Sequence, residues 1–258
     1  MKAVVLSPHL DDAVLSCWHV LEGSGDVTVV DVFTGSPPPG TPAPWWDRLT
    51  GAQDPVDRMR ERRAEDARAL GLVGRDAVHL DLLDAQYRDG ELATGPLAAR
   101  VRELLEPDTV IHAPAGLGGH PDHELVRDAA LELARGGWPV MLYADLPHGI
   151  AHGWPAWVAG VPERAGLDIG ADWVAVLAEA GVTVERLVPR VRPLDVRARE
   201  RKLSALAEYR TQRAALDGLA FVPLEDPRAL AFEVSWAVPA SAVGDPDERR
   251  SDGIVAEA

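Results

Sequence analysis

The sequence has a single cysteine, Cys17, in 258 residues. No intrachain disulfide can form, and a cysteine-built zinc site is excluded, so any metal must be held by histidine and carboxylate. Cys17 falls in an apolar helical stretch and reads as a packing residue. Basic charge is also short: 26 Lys plus Arg stand against 41 Asp plus Glu, a formal net charge of −15. Nucleic-acid binding needs a basic surface that displaces counterions from phosphates, so this balance argues against a nucleic-acid partner. No apolar run approaches the roughly 18 residues of a membrane span, so no membrane association is expected. The N-terminus, Met1-Lys2-Ala3-Val4-Val5-Leu6, lacks the longer apolar region of a secretory signal. It reads as a first β-strand, and the protein is expected in the cytoplasm. Repeats at a fixed period, low-complexity tracts and a linker between two autonomous domains are missing as well.

Apolar residues make up 47% of the chain, which suits one large soluble domain with a substantial core. Strand and helix signals alternate through the first half. Strands are predicted at residues 3–6, 27–33, 77–82, 108–113 and 139–144. Helices are predicted at 12–22, 57–71, 95–106 and 121–135, and a Pro-rich loop carrying Trp45-Trp46 at 34–56. This alternation implies parallel βαβ units, hence a single-domain Rossmann-like α/β fold with a mostly parallel sheet flanked by helices. The second half is less regular: loops over 145–173, a strand at 182–188, a long helix at 193–216 and a strand at 230–238. The domain is expected to span residues 1–240. The polar, acidic stretch 241–258 is expected to be a disordered tail. Oligomeric state is left open, a homo-oligomer included.

Two clusters carry chemistry. Ser7-Pro8-His9-Leu10-Asp11-Asp12 follows the first strand, and His120-Pro121-Asp122-His123 follows the strand at 108–113. Both lie beyond the carboxyl ends of parallel strands, where open α/β sheets bind ligands. Brought together, they supply two histidines and a carboxylate with a position left for water, a catalytic zinc arrangement. Of the adjacent Asp11 and Asp12, which point different ways, one can bind metal while the other takes a proton from the water. Taken singly, an Asp between strand and helix is an ordinary N-cap, and a turn histidine an ordinary surface residue. Their joint placement at strand ends is what favours metal.

These residues give the chain a resemblance to the LmbE/PIG-L family of zinc-dependent N-deacetylases. That family has a His-Pro-Asp-Asp-Glu motif after the first strand and a His-Pro-Asp-His motif further on. The resemblance extends to Arg62-Arg63-Ala64-Glu65-Asp66, to Lys202 through Gln212, and to Phe232-Glu233-Val234. It implies that His9, Asp12 and His123 bind Zn2+, or another divalent ion. It further implies that Asp11 is the general base, and that His120 stabilises the tetrahedral intermediate or protonates the leaving amine. Asp122 would orient an imidazole. Arg62 and Asp84 would contact substrate, although a solvated helix face is the plain alternative for Arg62. Leu10 and Ala13 depart from the motif at non-ligand positions. Gly118 stands where some members have an oxyanion-holding Tyr, so another side chain must enter from a loop, or the metal and His120 carry more of that charge.

The implied substrate is a small N-acyl molecule containing carbohydrate, an N-acetylated amino sugar or a glycosylated secondary metabolite. Trp45 and Trp46, and also Trp154 and Trp157, are expected on the pocket rim, since aromatic faces pack on sugar rings and apolar groups. His148 and His152 lie in the second of these loops, with His148 a substrate contact. His112 is expected to approach the site along its strand, and His79 and His19 to be structural. The competing readings are an amidase that cleaves a larger acyl group or a thiol-sugar conjugate, and a non-catalytic relative. A nucleotide-binding protein would place a Gly-x-Gly-x-x-Gly turn where Ser-Pro-His-Leu-Asp-Asp stands, and two acids there would repel a pyrophosphate.

Overall fold

The computed structural model describes residues 2–244. Its elements are, in order, β1 (Lys2–Ser7), α1 (Asp12–Ser16), α2 (Trp18–Leu21), β2 (Asp26–Asp31), α3 (Trp45–Leu49), α4 (Pro55–Gly71), β3 (Ala77–His79), α5 (Thr94–Arg102), β4 (Val110–Pro114), α6 (Pro121–Arg135), β5 (Val140–Tyr143), α7 (Ala156–Ala159), α8 (Ile169–Glu179), β6 (Val188–Pro193), α9 (Val196–Leu206), α10 (Arg213–Asp217) and β7 (Phe232–Val238). The strands form one sheet in the order β3-β2-β1-β4-β5-β7-β6. The first five are parallel, while β7 runs antiparallel to both β5 and β6.

β1 reads as an unbroken apolar run because a central parallel strand is buried on both faces. It pairs with β2 on one side and with β4 on the other, Val5 opposite His112. The strand order therefore reverses between β1 and β4. At such a switch point the connections leaving two neighbouring strands run to opposite sides, and a crevice opens at their carboxyl ends. Both chemistry-bearing motifs leave from these two strands. Topology thus joins residues more than a hundred positions apart.

Several boundaries differ from the sequence expectations, each for a tertiary reason. The helix expected over 12–22 breaks at Cys17. The backbone N–H groups of Trp18 and His19 donate to the Glu233 carboxylate at 2.7 and 2.9 Å instead of to helical carbonyls. The helix expected over 193–216 divides into α9 and α10, since Tyr209 and Thr211 between them are tied to Asp66 and Glu65 of α4. The strand expected at 182–188 lies at 188–193. Pro189 and Pro193 count against a strand in sequence, but an edge strand accepts proline. The loop at 34–56 includes α3, and the stretch 145–173 includes α7 and the start of α8, capped by Asp168. The ordered chain also continues past the expected limit at 240. Val243 bridges to Val182, and the Gly244 carbonyl accepts from Arg135. The rest of the expected tail, residues 245–258, lies outside the described residues.

Candidate metal and active site

The turn after β1 is shaped by its own side chains. Ser7 Oγ donates to the His9 carbonyl at 2.6 Å and accepts the Ala13 N–H at 3.0 Å. Asp12 Oδ2 accepts the His9 N–H at 2.8 Å. Asp11 occupies the N-cap position of α1 but makes no capping bond, so the plain N-cap account of this residue fails. At the other motif His120 caps α6: its Nδ1 accepts the Asp122 N–H at 3.2 Å. Pro121 opens the helix where its missing N–H costs nothing, and His123 points inward from the first turn, fully buried.

Three atoms converge: His9 Nδ1, Asp12 Oδ2 and His123 Nε2. The separations are 3.5 Å for His9 to Asp12, 3.3 Å for His123 to Asp12, and 3.3 Å between the two imidazoles. Ligands at 2.0–2.1 Å from a tetrahedral zinc stand about 3.3–3.4 Å apart, so the three atoms already mark a tetrahedral face. The opposite nitrogens are committed to carboxylates. His9 Nε2 lies 3.0 Å from Asp122, and His123 Nδ1 lies 2.7 Å from Asp145. With those nitrogens donating, the facing nitrogens present lone pairs to each other and to a carboxylate oxygen. Such an arrangement calls for a cation. Without one, protons serve. Burial opposes charging His123, but Asp12 and Asp145 outweigh it and raise its pKa to about 9. Asp12 and Asp122 likewise overcome burial at His9 and hold it well above its ordinary value.

A second trio, His9, Asp84 and Asp122, also brings ligand atoms within 4.8 Å, as do His9, His120 and His123. In the second trio the carboxylates are already engaged. Asp122 accepts from His9, the Ala85 N–H and Arg88, and Asp84 accepts from Gln86 and Arg62. In the trio with Asp12 both imidazole nitrogens are free of other partners, and Asp12 Oδ2 accepts only the His9 N–H and keeps a second lone pair.

A cavity of about 390 Å³ opens above it, lined by His9, Asp11, Asp12, Trp45, Trp46, Arg62, Asp84, Gln86, His120, Pro147, His148, Gln212, Leu216 and Leu219. Of the residues expected at the site, His9, Asp11, Asp12, His120, Arg62, Asp84, Trp45, Trp46 and His148 reach its wall, while Asp122 and His123 are buried behind it. Burial, with the Asp12 charge behind it, pushes the Asp11 carboxyl up to about 7. Burial next to His9 and His123 lowers His120 to about 3. Arg62 is not on a solvated face: it is buried, 3.4 Å from Asp84. Trp45 stays 65% exposed at the mouth, and Trp46 donates to Gln212 at 2.7 Å.

A family model for GlcNAc-PI de-N-acetylase (PIG-L) matches residues 4–134, which include both motifs. The chain belongs to the PIG-L family. It is 33% identical over 166 residues to the 2′-N-acetylparomamine deacetylase of Streptomyces fradiae, a match covering 57% of each chain. Among solved structures, the A40926 pseudoaglycone deacetylase is 32% identical with a TM-score of 0.66, over 95% of this chain and 99% of that one. A triple mutant of the deacetylase of the teicoplanin pathway is 28% identical with a TM-score of 0.70, over 92% and 98%. A zinc-inhibited form of teicoplanin deacetylase is also similar, at 26% identity and a TM-score of 0.68.

Not every expectation for this PIG-L chain holds. Trp154 and Trp157 do not line the cavity. They stack edge to face with Trp173, Trp236 and Phe232 at 5.6–6.5 Å, a packing cluster under α8. His112 does not approach the site. It faces a separate groove of about 1080 Å³ with His19 and Arg190. Asp145 is absent from the sequence reading, although it directly follows β5 and the strand-end rule that found the others applies to it. Gln212, Leu216 and Leu219 were also missed, because nothing local places α10 over the crevice.

Proposed function

We propose that this chain is a zinc-dependent N-deacetylase of a small carbohydrate-containing N-acyl substrate. The observation that carries this reading is the convergence of His9 Nδ1, Asp12 Oδ2 and His123 Nε2 beside a cavity that Asp11 also lines. His9 Nδ1, Asp12 Oδ2 and His123 Nε2 would hold the ion. Bound there, it would lower the pKa of a water towards about 7 and polarise a carbonyl.

The chain's own groups divide the remaining work. Asp11 makes no side-chain hydrogen bond among the described residues, and its raised pKa suits a carboxylate that accepts the proton of the attacking water. His120 gives its Nδ1 lone pair to the cap of α6, so the neutral ring carries its hydrogen on Nε2. A neutral donor of this kind steadies a developing oxyanion. Protonating the amine would require an imidazolium, which the cap and the lowered pKa both oppose. The proton held by Asp11 then passes to the departing nitrogen. Asp122 and Asp145 orient the imidazoles. Arg62, Asp84, Trp45 and Trp46 form the surface against which a sugar ring and its substituents lie, and His148 reaches the same cavity.

The relatives are named for deacetylating 2′-N-acetylparomamine and the A40926 pseudoaglycone and for a step in the teicoplanin pathway, which supports a glycosylated secondary metabolite or amino sugar as the substrate here. Leu216, Leu219 and Pro147 add an apolar wall that also suits a larger acyl chain, and this favours an amidase as second reading. No described helix is long and apolar enough to cross a membrane. We place the enzyme in the cytoplasm, without a nucleic-acid partner, as a monomer or homo-oligomer.

The deciding experiment measures metal content together with amine release from a panel of N-acetylated amino sugars and glycosides, extended to longer acyl chains. Stoichiometric zinc with release of acetate supports the deacetylase. Preference for longer chains supports the amidase, and protein without metal overturns both.

A further inference from the structure

Three imidazoles form a triangle at the cavity. The ring centroids are 5.3 Å apart for His120 and His123, 5.5 Å for His123 and His148, and 6.1 Å for His120 and His148. Two of them are committed. His123 offers Nε2 to the trio and Nδ1 to Asp145, and His120 caps α6 with Nδ1. His148, on the loop after β5, has no side-chain hydrogen-bond partner on either nitrogen among the described residues; it is half-buried and lines the cavity beside His9, Asp12 and His120. An imidazole with both nitrogens free, held edge-on to His123 on the cavity wall, has hydrogen-bonding capacity to offer to whatever enters the cavity.

The place His148 occupies exists because of Gly118. A Cβ built on Gly118 would stand 2.7 Å from the His148 Cβ, 3.3 Å from its Cγ and 3.5 Å from its Nδ1. Any side chain at 118 would expel the His148 ring from this position. Gly118 also has φ +88°, a conformation that favours glycine. The departure at 118 and the entry of His148 are therefore two halves of one feature.

We propose that His148 is a second hydrogen-bond donor to the substrate's acyl oxygen, acting beside His120, and that Gly118 is the positioning residue that admits it. This rests on the deacetylase reading. Two neutral imidazole donors then share the charge that develops on the carbonyl oxygen, while Asp11 alone handles protons. A donor aimed at developing charge is worth most in the transition state, so its loss falls on kcat and leaves KM nearly unchanged.

The test uses the zinc-loaded enzyme, the best substrate of the panel, and a phosphonamidate analogue of that substrate whose binding is followed by calorimetry. His148→Ala should lower kcat by about a hundredfold with KM and zinc content unchanged. It should weaken the analogue by a similar factor but leave the free amine product bound as before. His148→Gln, which keeps an N–H, should recover part of the loss, and His148→Phe should not. Gly118→Ala supplies the independent arm. It should cost at least about tenfold in kcat in the wild-type background and less than about twofold in His148→Ala, because the two act as one unit. An equal cost in both backgrounds, or full activity and analogue affinity in His148→Ala, overturns the inference while the deacetylase reading stands. A wild type that neither turns over nor binds the analogue overturns both.

Discussion

Two clusters of histidine and carboxylate sit a few residues apart in sequence, one at the start of α1 and the other at the start of α2. At α2 the Glu233 carboxylate accepts four bonds, from the Trp18 and His19 N–H groups, His19 Nδ1 and Lys202 Nζ, at 2.6–2.9 Å. Burial would raise this carboxyl, but Lys202 and His19 outweigh it and bring it down to about 2. Every charge has its opposite, and every oxygen is occupied. At α1 the set is left incomplete: two imidazole lone pairs face Asp12 Oδ2, which accepts only the His9 N–H, and Asp11 has no side-chain hydrogen-bond partner among the described residues. Burial and hydrogen bonding are similar in the two clusters. They differ in whether the chain completes the set itself, and an incomplete set is what binds a ligand.

Substitutions can break this contrast, and the largest effect is expected at the open cluster. Asp11→Asn keeps shape and burial but removes the base, and it should lower kcat by about 10²–10⁴ while zinc content and thermal midpoint hold; zinc loss on substitution would instead make Asp11 a ligand. Since the ion adds positive charge near Asp11, the acid limb of the wild-type rate profile should fall below pH 7. At the closed cluster the order of effects reverses. Glu233→Gln leaves Lys202 buried without a counter-charge and should cost about 3–5 kcal/mol of stability by denaturant titration. The surviving folded enzyme should keep its kcat. A large kcat loss would mean that the two clusters are coupled through α1.

Smaller effects sharpen the comparison. Asp145→Asn removes the carboxylate that orients His123 and should weaken zinc binding by about 10–100-fold, read by competition with a chelator. Metal-free protein should depend on pH in a stated direction. The His123 pKa is raised from 6.5 to about 9, so its contribution is complete below pH 6.5 and is lost as pH rises to about 9. Thermal midpoints measured in chelator should fall across that window, and added zinc should remove the dependence; a flat profile in chelator would show that the trio holds no proton. Smallest is Trp45→Ala at the exposed mouth. It should raise KM several-fold, in keeping with about 0.5–1.5 kcal/mol of ring stacking, and leave the thermal midpoint unchanged.

Much of this molecule is legible in its sequence. β1 announces itself as an apolar run, and α6 spans the residues 121–135 expected for it. Residue types at strand ends single out His9, Asp11, Asp12, His120 and His123, because local hydrophobic period and capping chemistry are settled within a turn or two of chain. Misreadings occur where a distant side chain intervenes. Cys17 ends α1 because Glu233, some 215 positions away, takes the next backbone N–H groups. Tyr209 and Thr211 part α9 from α10 because α4 holds them. The tryptophans divide the same way: Trp45 and Trp46 reach the cavity, while Trp154 and Trp157 join a packing cluster, although both pairs stand in comparable loops.

Residue types and hydrophobic period were enough to nominate the histidine and aspartate candidates, to exclude a cysteine-built site and to give the alternation that makes a parallel sheet. Which of those groups keep a free lone pair depends on contacts made across the fold. The tertiary structure placed β1 against β4 at the switch point, gave Asp122 and Asp145 to the two imidazoles, laid α10 over the crevice and let His148 into the space beside Gly118. The physical reason is that a hydrogen-bonding group is free or spent according to its neighbours in space, and at this site those neighbours arrive from strands and loops far apart along the chain.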